Sequence, residues 1–186
     1  MELRGQILAD DFSKEAGTSE HTALNGHPEL KVSARWRQVG DKEIVTKVMR
    51  DEKVEGKPLT LITFSIQTSY KADADPAAPS AYGPGTGKDK EAGNGSLGFH
   101  ESCHRDNLSG YARFYKNSSF PKFEGKAGMS LEEFREARNK FIKAVETFVS
   151  DLKDRALKYS QQETDEVYYK KSDFLRDHPD AADVEG

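Results

Sequence analysis

Leu30, Val32, Ala34 and Trp36 alternate with Lys31, Ser33, Arg35 and Arg37. A period of two predicts a strand with one apolar face over residues 30–39. Gly40-Asp41 supplies a turn into "KEIVTKVMRDEKV", whose β-branched residues predict a second strand. A further turn at 55–57 leads to "PLTLITFSIQTSY", where Ile62, Phe64 and Ile66 alternate with Thr63, Ser65 and Gln67. Three strands at such short spacing read as an antiparallel meander. "ELRGQILA" adds a short first strand, and the polar stretch 10–28, with Gly17 and Gly26, reads as a loop or mobile arm. After residue 96, "LGFHESC" and "GYARFYK" read as two further strands joined by the turn "HRDNLSG".

The period changes at Ser130. Ser130-Leu-Glu-Glu133 has the layout of a capping box, in which the serine oxygen accepts from an early amide while the glutamate reaches back. Leu131, Phe134, Phe141, Ile142, Val145, Phe148, Val149 and Leu152 follow at helical spacing and predict one long amphipathic helix, fraying toward Tyr159. The fold class is α+β: a curved antiparallel sheet of about five strands with a long C-terminal helix on one face. The expected organisation is one domain over residues 1–160, with residues 71–96 as a flexible loop rich in Ala, Pro, Gly and Asp. Residues 161–186, ending "DFLRDHPDAADVEG", form an acidic tail expected to be disordered.

Composition narrows the core. Of the 186 residues, 35% are hydrophobic and 32% charged, so the buried part must be small for the length. The net charge of -4 argues against indiscriminate binding to nucleic acid or anionic membrane. It hides a pattern, because residues 30–70 carry 8 basic and 5 acidic side chains while residues 1–29 carry 2 and 6. The single cysteine, Cys103, excludes an internal disulfide, and no run of apolar residues is long enough to span a membrane. The N-terminal residues lack the basic flank and apolar run of a secretory signal. An intracellular setting is expected.

Two stretches invite a site. "GPGTGK" at 83–88 falls short of a phosphate loop, because Tyr82 stands where the first glycine is needed and Asp89 follows the lysine. "FHESCHRD" gathers His100, Cys103, His104 and Asp106, all residue types that ligate zinc. On a strand, however, residues four apart lie about 13 Å from each other, too far to share an ion. Adjacent Cys103 and His104 would also point to opposite faces, which removes them as a nucleophile pair. A polar strand end and turn is the expected reading, with no metal, no cofactor and no catalytic residue. An enzyme assembled from scattered carboxylates and His100 or His104 is the remaining catalytic alternative.

Aromatic and basic residues point elsewhere. A strand at 110–116 would place Tyr111, Arg113 and Tyr115 on one face and turn Ala112 and Phe114 inward. With Lys31, Arg35 and Arg37 of the 30–39 strand, that face combines cations for phosphates with rings for bases, as sequence-tolerant single-strand binding requires. The same pairs also stabilise sheets without a ligand. The layout over about residues 110–150, from the aromatic-basic strand through "GKAGMSL" to "EEFREARNKFIKAV", resembles the end of the transcriptional-coactivator and whirly fold. That resemblance implies a nucleic-acid face made by the strands and a helix covering the sheet or forming an oligomer contact. The expected function is non-catalytic binding of single-stranded DNA or RNA, with Lys31, Arg35, Arg37, Arg113, Lys116 and Lys122 on phosphates and Tyr111 and Tyr115 stacking bases. A homo-oligomer through the 130–159 helix belongs to the same expectation. The alternative is a protein-binding inhibitor or adaptor, acting through the acidic tail, the loop or the helix.

Overall fold

In the computed structural model the described residues are 2–14, 20–50, 59–80, 93–114 and 120–166. Six strands come first: β1 (Glu2–Ile7), β2 (Asp11–Lys14), β3 (His21–Lys31), β4 (Ser33–Val39), β5 (Lys42–Met49) and β6 (Leu59–Lys71). Two helices follow, α1 (Leu97–Phe114) and α2 (Leu131–Gln161), and α2 runs into one π-helical turn, Gln162–Glu166. The class is α+β.

β6 organises the larger sheet by pairing with β1, β2 and β3. Its alternation is strict: Thr60, Ile62, Phe64, Ile66, Thr68 and Tyr70 are buried while the residues between them are half-buried. β2 runs parallel to β6. β3 runs the other way, since Thr22 meets Thr68 while Gly26 meets Phe64. The sheet is therefore mixed, and the expected single antiparallel sheet is corrected. β4 and β5 form a separate antiparallel hairpin around the turn at Gly40, whose φ of 60° favours glycine.

Residues 11–14 and 21–28, expected within a loop, are strand. Thr22, Leu24 and Gly26 alternate with exposed His21, Asn25 and His27, although only Leu24 is large and apolar. Gly26 is there for space, because a Cβ would lie 2.5 Å from Val149 Cγ1. The 30–39 strand is likewise divided at Val32, which enters a core with Val45, Leu131 and Phe134. Trp36, expected on that apolar face, is 48% exposed.

The largest correction concerns residues 97–114, read as two strands and a turn. They form one helix. Ser96 caps it, with its Oγ accepting from Phe99 N–H at 3.3 Å, and the first amides are taken by the carbonyls of Ala78 and Pro76. His100, Glu101, Cys103 and Leu108 are buried, a helical stripe and not an alternation.

α2 begins as its sequence dictates. Glu133 Oε2 accepts from Ser130 N–H at 2.8 Å, and Ser130 Oγ accepts from Glu133 N–H at 3.2 Å. The Ser130 amide and hydroxyl hold the Glu133 carboxyl below its usual 4.5. Gly128 and Met129 also bond to β5 through the backbone of Val45. The buried stripe of Leu131, Phe134, Phe141, Val145, Val149, Leu152 and Ala156 continues to Ser160 and, in the π turn, to Thr164. The helix is thus longer than the apolar pattern alone predicts. Of the expected tail 161–186, residues 161–166 are helical, and residues 167–186 lie outside the described residues, as do 81–92 of the expected loop.

The chain forms two compact units. One contains Met1–Gly5, Gly26–Phe64 and Tyr115–Lys153, the other Gln6–Asn25, Ser65–Phe114 and Asp154–Gly186. The first is built on the β4–β5 hairpin, the start of α2 and interlocked rings, with Phe123 edge-on to Phe134 and Phe141. The second holds α1, the end of α2 and the chemistry described next. No helix among the described residues is long and apolar enough to cross a membrane.

Candidate metal centre

A helix changes the geometry of "FHESCHRD". Residues four apart lie about 6 Å apart along a helix and on one face, in place of 13 Å along a strand. His100 and His104 therefore point the same way from α1. Their rings meet edge to face, with centroids 4.9 Å apart. Both turn Nε2 to a single oxygen: Asp165 Oδ1 is 3.3 Å from His100 Nε2 and 3.1 Å from His104 Nε2. The three potential ligand atoms all lie within 4.8 Å of one another. Cys103 is buried but is not part of this cluster, and Asp106 is exposed.

The cluster is set into the protein. The His100 side chain is 1% exposed, that of His104 12% and that of Asp165 26%. Burial pushes the Asp165 carboxyl up, but the hydrogen bonds from His100 and His104, with their charges, outweigh it and hold it down at about 2. At neutral pH an ionised carboxylate thus faces two imidazole nitrogens.

Two outer contacts fix the parts. His104 Nδ1 is 2.8 Å from Ser160 Oγ. One turn further along α1, Asn107 Nδ2 donates to Thr164 Oγ1 at 2.9 Å, which pins the π turn carrying Asp165 to the helix carrying the histidines. Widened turns of this kind occur frequently at functional sites.

Glu101 lies beside His100 on the helix but belongs to a different set of contacts. It is 4% exposed, and its Oε2 accepts from Thr22 Oγ1 at 2.6 Å, which in turn lies 2.8 Å from Thr68 Oγ1. The carboxylate is anchored to β3 and β6 through one oxygen. The neighbouring Arg105 pairs with Asp10 at 2.6 Å. Burial, then the carboxylates of Asp10 and Glu101, push the Tyr70 hydroxyl up to about 12.

Comparisons with protein-family models, with curated proteins and with solved structures give no match. The chemistry must be argued from the residues.

A tetrahedral ion with ligands at about 2.0–2.1 Å has ligand–ligand edges of about 3.3 Å. The nitrogen–oxygen separations of 3.3 and 3.1 Å are close to two such edges, and the remaining separation, within 4.8 Å, would have to shorten around an ion. Two imidazoles and a carboxylate suit zinc and leave a fourth position. The sequence signal was present: His100-Glu101-x-x-His104 places two histidines at i and i+4 with an intervening glutamate. The motif has this meaning only on a helix, so assigning a strand concealed it. Asp165 carried no local signal at all.

The residues expected to bind nucleic acid occupy other elements. Tyr111 lies on α1 and packs against Tyr159, with ring centroids 5.4 Å apart and the rings tilted by 35°. Arg113 belongs to the same helix. Residues 110–114 of the strand expected at 110–116 are helix, so Tyr111 and Arg113 share no sheet face with Arg35 and Arg37, which are exposed on β4. Lys31 ends β3 and pairs with Glu29 at 3.3 Å, and Lys122 is exposed in the segment before α2. Tyr115 and Lys116 lie outside the described residues.

Proposed function

We propose that this protein is a zinc-dependent hydrolase of the peptide-bond class, with His100, His104 and Asp165 as metal ligands and Glu101 as general base. The observation that carries the reading is the convergence of two Nε2 atoms, four residues apart on α1, on Asp165 Oδ1. Bound zinc would supply Lewis acidity and a water acidic enough to lose its proton near neutral pH.

The chain's own residues account for the rest. His100 and His104 would bind through Nε2, each giving up the proton it shares with Asp165 in the metal-free protein. Asp165 adds one negative charge, which offsets part of the charge of a divalent ion. Glu101 is not one of the three clustered residues, and its role as base rests on its place beside His100 in the His-Glu-x-x-His pattern. Thr22 holds Oε2, so the carboxylate has a fixed orientation and Oε1 remains to take a proton. Water would add to the carbonyl carbon of an amide, the C–N bond would break, and the proton taken from the water by Glu101 would pass to the leaving nitrogen.

The test is metal analysis of the purified full-length protein, followed by titration of the metal-stripped form with zinc. One tight equivalent in wild type, lost in His104→Ala, supports the reading, as does casein hydrolysis that stops with chelator and returns with zinc. No zinc uptake by the wild-type protein would reduce the cluster to a buried His–Asp–His ion-pair network.

A further inference from the structure

We infer that Ser160 is a positioning residue for this centre: it holds the His104 imidazole in the form whose Nε2 lone pair faces the metal side. The inference rests on the metal reading above and adds the residue that orients one ligand.

Ser160 occupies a place where the fold by itself asks for an apolar residue. It continues the buried stripe of α2 four residues beyond Ala156, and it is 2% exposed. An alanine or valine would serve packing there without the cost of burying a hydroxyl. What the serine provides is a partner for His104. Its Oγ is 2.8 Å from His104 Nδ1, and its own proton is directed to the His104 carbonyl at 3.5 Å.

With a metal bound, these two contacts would take one order of donors and acceptors. A ligating imidazole must keep its proton on the nitrogen away from the metal, because Nε2 needs its lone pair. For His104 that puts the proton on Nδ1, where Ser160 Oγ accepts it. The serine hydroxyl, having accepted, gives its own proton to the His104 backbone carbonyl. Side chain and main chain of one residue are thereby held by one hydroxyl, which fixes both the tautomer and the tilt of the ring. Ser160 also stands five positions before Asp165, so the segment that orients one ligand carries another.

The experiment uses the full-length protein with Ser160→Ala and Ser160→Thr. Zinc affinity is read by competition with a chromophoric chelator, and ring geometry by the visible spectrum of the cobalt-substituted protein. Melting of the metal-free forms is the control for a merely structural role. Removing such an outer partner is expected to weaken metal binding by roughly 10–100-fold. The alanine variant should show that loss with an altered cobalt spectrum and little change in the metal-free melt, while the threonine variant, which keeps the hydroxyl, recovers affinity. Wild-type affinity and spectrum in Ser160→Ala would overturn the inference while leaving the metal centre standing. So would equal losses in both variants that track their metal-free melting. Absence of zinc binding in the wild type would instead remove the metal reading, and this one with it.

Discussion

His104 Nε2 lies 3.1 Å from Asp165 Oδ1 although the two residues are 61 positions apart in the chain. His104 is on α1 and Asp165 on the π turn that ends α2, so the pair joins elements with no sequence relation. The same Oδ1 also meets His100, and the contact is backed by Ser160 on one side and the Asn107–Thr164 bond on the other. Such support holds side chains within a narrow range of geometry, as a metal or catalytic site requires.

Glu101→Gln separates binding from chemistry. Glutamine keeps the size of the side chain and an oxygen to accept from Thr22, so the fold and the zinc content should remain. It cannot take a proton. Hydrolysis is expected to fall by about 10²–10⁴-fold, read from initial rates at equal zinc occupancy. Undiminished turnover would remove Glu101 as the base.

Asn107→Ala tests the clip on the π turn. Thr164 is fully buried, and its hydroxyl would lose the Asn107 donor. Leaving a buried polar group without a partner costs about 1–3 kcal/mol. The urea midpoint should drop accordingly, and zinc affinity should fall with it because Asp165 sits on the released turn. An unchanged midpoint would show that the π turn is held by other contacts.

Tyr70 gives the alkaline limit. Its side chain is fully buried, its hydroxyl has no hydrogen-bond partner among the described residues, and its ring stacks on Phe12 at 5.0 Å. The folded protein raises the hydroxyl from 10.0 to about 12. The neutral form is therefore the one the fold favours, so this contribution is whole below pH 10 and is lost as pH rises through about 12. Tyr70→Phe keeps the stack and removes both the orphan hydroxyl and its titration. The variant should be at least as stable as wild type at pH 7 and lose less stability between pH 9.5 and 11.5. A large loss at pH 7 would mean that the hydroxyl has a stabilising partner.

Gly26→Ala probes the close approach of β3 to α2. The new methyl would meet Val149 Cγ1 at 2.5 Å and Phe64 Cε1 at 3.0 Å. Overpacking of this kind costs about 1–3 kcal/mol. Adding Val149→Ala should recover part of the loss, so a double-mutant cycle in urea should show coupling between the two positions. Strict additivity would place the strain elsewhere.

The sequence by itself determined the elements whose signal is local. β6 and the β4–β5 hairpin follow from period-two alternation and a glycine turn, and α2 follows from its capping box and its stripe from Leu131 to Leu152. These patterns report one face of one element, which is all that periodicity can report. It could not say that β6 would pair with β1, β2 and β3, because strand partners are chosen by the packing of the whole sheet. Nor could it settle residues 97–114, where Gly98, Gly110 and a run of aromatic residues imitate strands and a turn. There the decision came from outside the segment, through the Ser96 cap, the carbonyls of Pro76 and Ala78, and burial of Leu108. The candidate site shared that fate: His100, Glu101 and His104 stand together in the sequence, but only a helix turns the two histidines to one side. Asp165 and Ser160 join them because the long helix continues past its apolar stripe, a contact between distant residues that only tertiary packing creates.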